Sequence, residues 1–163
     1  MSTTPRRGFT LLELTIVLAV LALVASLALP SFAGVSSRTR LKAVAETLAT
    51  DLAEARFEAA RRGQPLHVET AGSGTDWCWS VATSPGCPCG SSSCQLKTVR
   101  SQDHAGVELL QSAPMRLDAS GQAVAASALF QSSRGEQLRV DVSALGRAGI
   151  CAPAAKLPGY PAC

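Results

Sequence analysis

The sequence predicts an α+β fold, in which a long N-terminal helix, membrane-spanning in its first half and amphipathic in its second, packs on an antiparallel β-sheet domain. Three observations carry this expectation. An apolar run extends from Phe9 to Leu29 with Glu13 as its one charge. Apolar residues then recur at three- and four-residue steps between Leu41 and Ala59, the spacing of one helix face. Beyond Pro65 the pattern shifts to period two, the spacing of strands.

The first segment, Met1 to Gly8, is a short leader carrying Arg6 and Arg7. The apolar run behind it covers roughly 30 Å at the helical rise, the thickness of a bilayer's hydrocarbon core. A carboxylate in lipid costs on the order of 2.5–3.5 kcal/mol, so Glu13 asks for a partner. A secretory signal peptide is the competing reading. Its apolar core is usually about 7–15 residues long, free of acids, and closed by a small-x-small site. Here the run is longer, holds an acid near its start, and offers only Leu27-Ala28-Leu29-Pro30 at its end. A plain single-span anchor fits the length and leaves Glu13 unexplained.

The second helical segment, residues 31–63, continues the first, with a bend expected at Pro30. Leu41, Val44, Ala45, Leu48, Leu52, Ala55 and Ala59 form its apolar stripe, and Arg40, Lys42, Glu46, Asp51, Glu54 and Glu58 are expected opposite. Arg61 and Arg62 suit the negative end of the helix dipole, and Gly63 and Pro65 supply the stop.

Residues 64–163 form the third segment. Leu66 and Val68 alternate with His67 and Glu69; Trp77, Trp79 and Val81 share a face; Leu138, Val140 and Val142 share another, with Gln137, Arg139 and Asp141 opposite. Less regular strands are expected at 95–100, 106–111, 114–118 and 127–131, with turns at Ala119-Ser120-Gly121 and Ser133-Arg134-Gly135. Residues 84–94 are loop by composition, and the Pro/Gly-containing C-terminus lacks strand periodicity. All this fits one sheet on the helix's C-terminal half.

Cys78, Cys87, Cys89, Cys94, Cys151 and Cys163 all lie beyond the apolar run. An even number in an oxidising compartment reads as disulfides, whose pairing the sequence leaves open. Cys151 with Cys163 would staple the C-terminus, and the other four would form two bridges within 78–94. A four-thiolate zinc site needs paired C-x2-C-like spacings, and this chain has a single C-x-C flanked by singles.

Catalysis finds little support. His67 and His104 have no partner pattern, Ser91-Ser92-Ser93 lacks an elbow motif, and no phosphate loop or spaced carboxylate pair stands out. No cofactor is expected. The net charge of +3 includes Arg6 and Arg7, so without the leader it falls to about +1. Any nucleic-acid binding would need a local basic patch rather than a general field.

Gly8-Phe9-Thr10-Leu11-Leu12-Glu13, following a basic leader and opening an apolar run, resembles the processing motif of type IV prepilins. The resemblance implies that a prepilin peptidase cuts after Gly8 and methylates the new N-terminus at Phe9. It implies that Glu13, fifth in the mature chain, pairs with the terminal amine of a neighbouring subunit during assembly. A buried carboxylate is tolerated when an opposite charge meets it. Arg6 and Arg7 would keep the leader cytoplasmic, placing the rest of this single-pass inner-membrane chain in the periplasm and then in a surface pilus.

The Trp77-Cys78-Trp79 strand, Phe130-Gln131-Ser132-Ser133-Arg134-Gly135, and the C-terminal stretch from Ser143 to Cys163 look like the FimT/GspH branch of minor pilins and pseudopilins. That implies a structural subunit of a type IV pilus or, alternatively, an H-type pseudopilin of a type II secretion system. Its partners would be other major and minor pilins or pseudopilins, the peptidase and an inner-membrane assembly platform. In FimT-type pilins of competent bacteria a Gly-Arg-x-Arg motif binds double-stranded DNA during uptake. Gly146 and Arg147 match it, whereas Gly149 stands where the second arginine would be. Help would have to come from Arg134, Arg139 or Lys156.

Overall fold

The computed structural model of the protein describes residues 9–87, 89–90, 93–153 and 157–163, and of residues 27–31 and 33 the backbone only. The leader through Gly8, and Lys156, lie outside the described residues. The chain divides into two compact units, Met1–Ser36 and Ser37–Cys163.

One helix, α1 (Leu11–Arg62), runs through both units and passes Pro30 without interruption. Its start is built by Thr10, whose Oγ1 accepts the backbone N–H of Glu13 at 3.2 Å. Thr10 and Glu13 thus occupy the first and last places of a capping box, and the acid sits at the positive end of the helix dipole. Glu13 therefore has a local reason to be where it is, which the hydropathy pattern alone did not disclose. At the other end, Gly63 at φ 63° takes the left-handed conformation, and the N–H groups of Gly63 and Gln64 return to Ala60 and Ala59. Glu58 holds Arg61 and Arg62 at 2.6 and 2.5 Å.

Where one sheet was expected, the strands form two antiparallel four-stranded sheets. The first contains β1 (Leu66–Ser73), β2 (Asp76–Ala82), β3 (Gln95–Arg100) and β5 (Met115–Leu117) in the order β3-β2-β1-β5. The second contains β4 (Val107–Ser112), β6 (Ala126–Ser132), β7 (Gln137–Val142) and β8 (Ala148–Cys151) in the order β4-β6-β7-β8. Gly74 and Leu109 exchange two backbone hydrogen bonds of 2.9 Å, joining the β1–β2 turn to β4. The C-terminal stretch also departs from expectation, because β8 is a strand despite its small residues. It pairs with β7 from Val142↔Ala148 to Arg139↔Cys151.

The stripe from Leu41 to Ala59 is buried against the inward faces of both sheets. Trp77 and Trp79 stack with centroids 5.3 Å apart and meet Phe130 edge-on. Asp51 corrects the predicted polar face: it is 1% exposed, among the core residues.

The six cysteines form three disulfides, Cys78–Cys89, Cys87–Cys94 and Cys151–Cys163. None is free, so the thiolates that a zinc site would need are consumed. The loop after β2 lies over the outer side of the first sheet. Ser80 Oγ donates to the Cys87 carbonyl, and Glu69 accepts the Gly86 N–H with both carboxylate oxygens. The C-terminal segment is tied by the Ala152↔Ala162 bridge, by Lys42 Nζ donating to the Pro158 carbonyl at 2.9 Å, and by Tyr160 donating to Glu46.

Candidate functional site

Arg147 stands in the turn joining β7 to β8. Gly146 N–H donates to the Ser143 carbonyl at 2.8 Å, Ser143 N–H to the Arg147 carbonyl at 3.0 Å, and Arg147 N–H to Ser143 Oγ at 3.2 Å. These bonds fix the backbone and leave the Arg147 side chain exposed. The glycine before it is required for two reasons. Its φ of 67° is left-handed, and a Cβ there would lie 2.1 Å from the Gly121 carbonyl oxygen.

Gly121 belongs to a second turn, 118–122, organised by Asp118. The Asp118 carboxylate accepts from Ser120 Oγ, Ser120 N–H and Gln122 N–H at 2.7–3.0 Å. The Ser120 hydroxyl first, and those N–H groups, hold its carboxyl below the ordinary range. Between the two turns lies Arg56 of α1, whose Nε donates to the Gly121 carbonyl at 2.9 Å.

Arg56 and Arg147 line one groove of about 590 Å³ between α1 and the edge strand β8. Glu46, Thr50 and small residues such as Ala49 and Ala53 complete it. Arg56 was not among the residues that sequence reasoning singled out. It sits on an exposed helix face, and no local pattern links it to a turn so far along the chain.

The other expected contributors are elsewhere. Arg134 lies in the β6–β7 turn, at the opposite end of β7 from Arg147, and a six-residue strand spans roughly 20 Å. Arg139 is in mid-strand on the face opposite buried Leu138 and Val140, paired with Asp141 at 2.9 Å. Of the histidines, His104 stacks on Trp77 and Trp79, and His67 faces Arg116 across β1 and β5. Among the described residues, no group of three or more His, Cys, Asp or Glu could hold a metal ion.

At the N-terminus, Phe9 and Glu13 are exposed, as are the apolar side chains that follow them. Among the described residues no helix is long and apolar enough to cross a membrane. From the start of α1 the side chains are described without a break from Leu11 to Ser26, about 24 Å of helix, against the roughly 30 Å of a hydrocarbon core.

Residues 4–29 match the model of the prokaryotic N-terminal methylation motif. The pilin-like protein PilA1 of Thermus thermophilus is 45% identical over 71 residues, 42% of this chain and 44% of that protein. This chain therefore spans less than half the length of that relative. Among solved structures, the type IV minor pilin FimU of Pseudomonas aeruginosa aligns with a TM-score of 0.56 at 18% identity, covering 76% of this chain and 96% of that one. The minor pseudopilin EpsH from the type 2 secretion system of Vibrio cholerae aligns at 0.51 and 17%, covering 71% and 99%. At such identities the likeness is one of fold. Residues 44–146, well over half of the sequence, match the model described as type II transport protein GspH, and the chain belongs to that family.

Proposed function

We propose that the protein is a minor, non-enzymatic subunit of a type IV pilus, made as an inner-membrane precursor and assembled with other pilins into the filament. The observation that carries this reading is Glu13. It stands just behind a methylation-type N-terminus, at the head of a helix that continues into a two-sheet domain. Peptidase cleavage after Gly8 would put a positively charged amine on Phe9. That amine, supplied by a neighbouring subunit, is the partner that an acid in an apolar segment needs. Leu11 to Leu29, within one helix, reaches about 28 Å and, with Phe9 and Thr10 ahead of it, would anchor the precursor with its β domain in the periplasm. Disulfides in all six cysteines suit that oxidising side.

A second reading, an H-type pseudopilin of a type II secretion system, is favoured by the family description and by the likeness to EpsH. Deleting the gene and scoring surface pili, natural transformation and exoprotein secretion side by side separates the two. Loss of pili with secretion intact is expected. Loss of secretion with pili intact would transfer the chain to the second reading.

The pilus reading includes capture of double-stranded DNA at the β7–β8 turn. A guanidinium beside a rigid glycine turn can offer a phosphate its forked donors, independent of base sequence. Gel-shift titration at low salt of the full chain in detergent, beside Arg147→Ala, tests this part. Binding weakened by the substitution is expected, and binding unaffected by it removes Arg147 from the function.

A further inference from the structure

We infer that Arg56 is the second cation of the groove beside Arg147, supplying on α1 the charge that Gly149 does not supply on β8. The inference rests on the DNA-binding reading and adds to it a residue from another element. One guanidinium makes a weak phosphate contact, whereas two across a groove hold successive parts of a polyanionic backbone.

Both arginines line the groove. Arg56 spends its Nε on the Gly121 carbonyl, which orients the guanidinium and leaves the N–H groups of its two terminal nitrogens for a ligand. A Cβ at position 146 would come within 3.1 Å of Arg56 Cδ and Nε, so the glycine of Gly146-Arg147 is also what lets Arg56 lie beneath the turn. Neither guanidinium joins any of the ion pairs formed among the described residues, which engage Arg38, Arg61, Arg62, Lys97 and Arg139. The carboxylate that lines the groove, Glu46, already accepts the Tyr160 hydroxyl. Ala49, Ala53 and Ala148 keep the floor low, so that a bulky backbone can approach both cations. The ligand that fits is a phosphodiester chain.

Binding of a short mixed-sequence DNA duplex by the full chain in detergent micelles, measured over a range of salt, tests this. Each neutralised phosphate contributes about −0.9 to the slope of log affinity against log salt, so a slope of about −2 is expected. Arg56→Ala and Arg147→Ala should each reduce its magnitude by about 1 and weaken low-salt binding about tenfold. Arg56→Lys, which keeps the charge and gives up the Nε bond, should retain the native slope. If Arg147→Ala weakens binding and Arg56→Ala does not, the inference fails and the DNA reading stands. Weakened binding in both Arg56 variants with the slope unchanged would assign Arg56 to holding the turns, which also overturns it. If the native chain binds no duplex, both fall.

Discussion

Trp79 donates its indole N–H to Oδ2 of Asp51 at 2.8 Å, inside the core. The other oxygen, Oδ1, receives Lys97 Nζ at 2.5 Å. The Asp51 side chain is 0% exposed and that of Lys97 is 43%, so the lysine enters from the surface to meet a carboxylate that has left it. One helical acid thereby ties α1 to β2 and β3. The hydrogen bond to Asp51 is the main reason that the Lys97 ammonium holds its proton above the ordinary lysine range.

Asp51→Ala should be costly. It leaves the buried indole N–H without an acceptor and strips Lys97 of its closest anion, for a loss of about 2–4 kcal/mol. Asp51→Asn keeps an acceptor for Trp79 and should lose only about 1 kcal/mol. Urea unfolding of the full chain in detergent, followed by fluorescence, reads this directly, since the two tryptophans of the chain are Trp77 and Trp79. Stability of the alanine variant equal to the native would show that the carboxylate's desolvation cancels its bonds.

Gly146→Ala should destabilise by about 2 kcal/mol or more, because the new Cβ meets the Gly121 carbonyl in a left-handed backbone. Gly149→Ala is the control, since nothing lies within 4 Å of a Cβ there. The two thermal midpoints should differ clearly, with Gly149→Ala near the native value. Coincident midpoints would mean that the 118–122 turn yields at little cost.

What could be read in the sequence divides along physical lines. The α1 stripe was legible because a helix face repeats every three to four residues, and every member from Leu41 to Ala59 is buried. Division into two sheets was not, because period-two alternation says which face of a strand is inward and nothing about its neighbour. β8 escaped because Ala148, Gly149 and Cys151 carry little strand propensity; its strand character comes from pairing with β7. Asp51 was misplaced because it borders Leu52 and Leu48 on the helix surface, where a small rotation decides between core and solvent. The glycine and arginine of the β7–β8 turn were visible as a motif, whereas Arg56 reaches them only through the fold.

Glu13→Gln separates two roles that this acid combines. Glutamine serves as well as glutamate at the last place of a capping box, so the start of α1 should persist while the charge is lost. Processing after Gly8 is expected to proceed, and the variant should accumulate in membranes with little in sheared filaments. Immunoblots of the two fractions measure this. Native-like incorporation would remove charge pairing from the account of assembly and leave Glu13 a helix cap.

Tyr160, the chain's single tyrosine, reports on the C-terminal staple. Its phenol is pushed up to about 12, first by burial and then by its hydrogen bond to Glu46, while Lys42 Nζ lies 5.5 Å from the ring centroid. Since the folded value exceeds the ordinary 10.0, the stability linked to the neutral phenol is complete below pH 10 and is lost as pH rises through about 12. Lys97, raised in the same direction, adds to this alkaline sensitivity. Phenolate absorbance of the native chain should therefore have a midpoint near 12. Replacing Cys151 and Cys163 by serine opens a loop of sequence separation 12, at a cost of about 2–3 kcal/mol. Freed of that link, the segment should lift from Glu46 and Lys42, and the midpoint should fall towards 10. A midpoint unmoved in the serine variant would show that the Ala152↔Ala162 bridge and the Lys42–Pro158 hydrogen bond hold the segment without the disulfide.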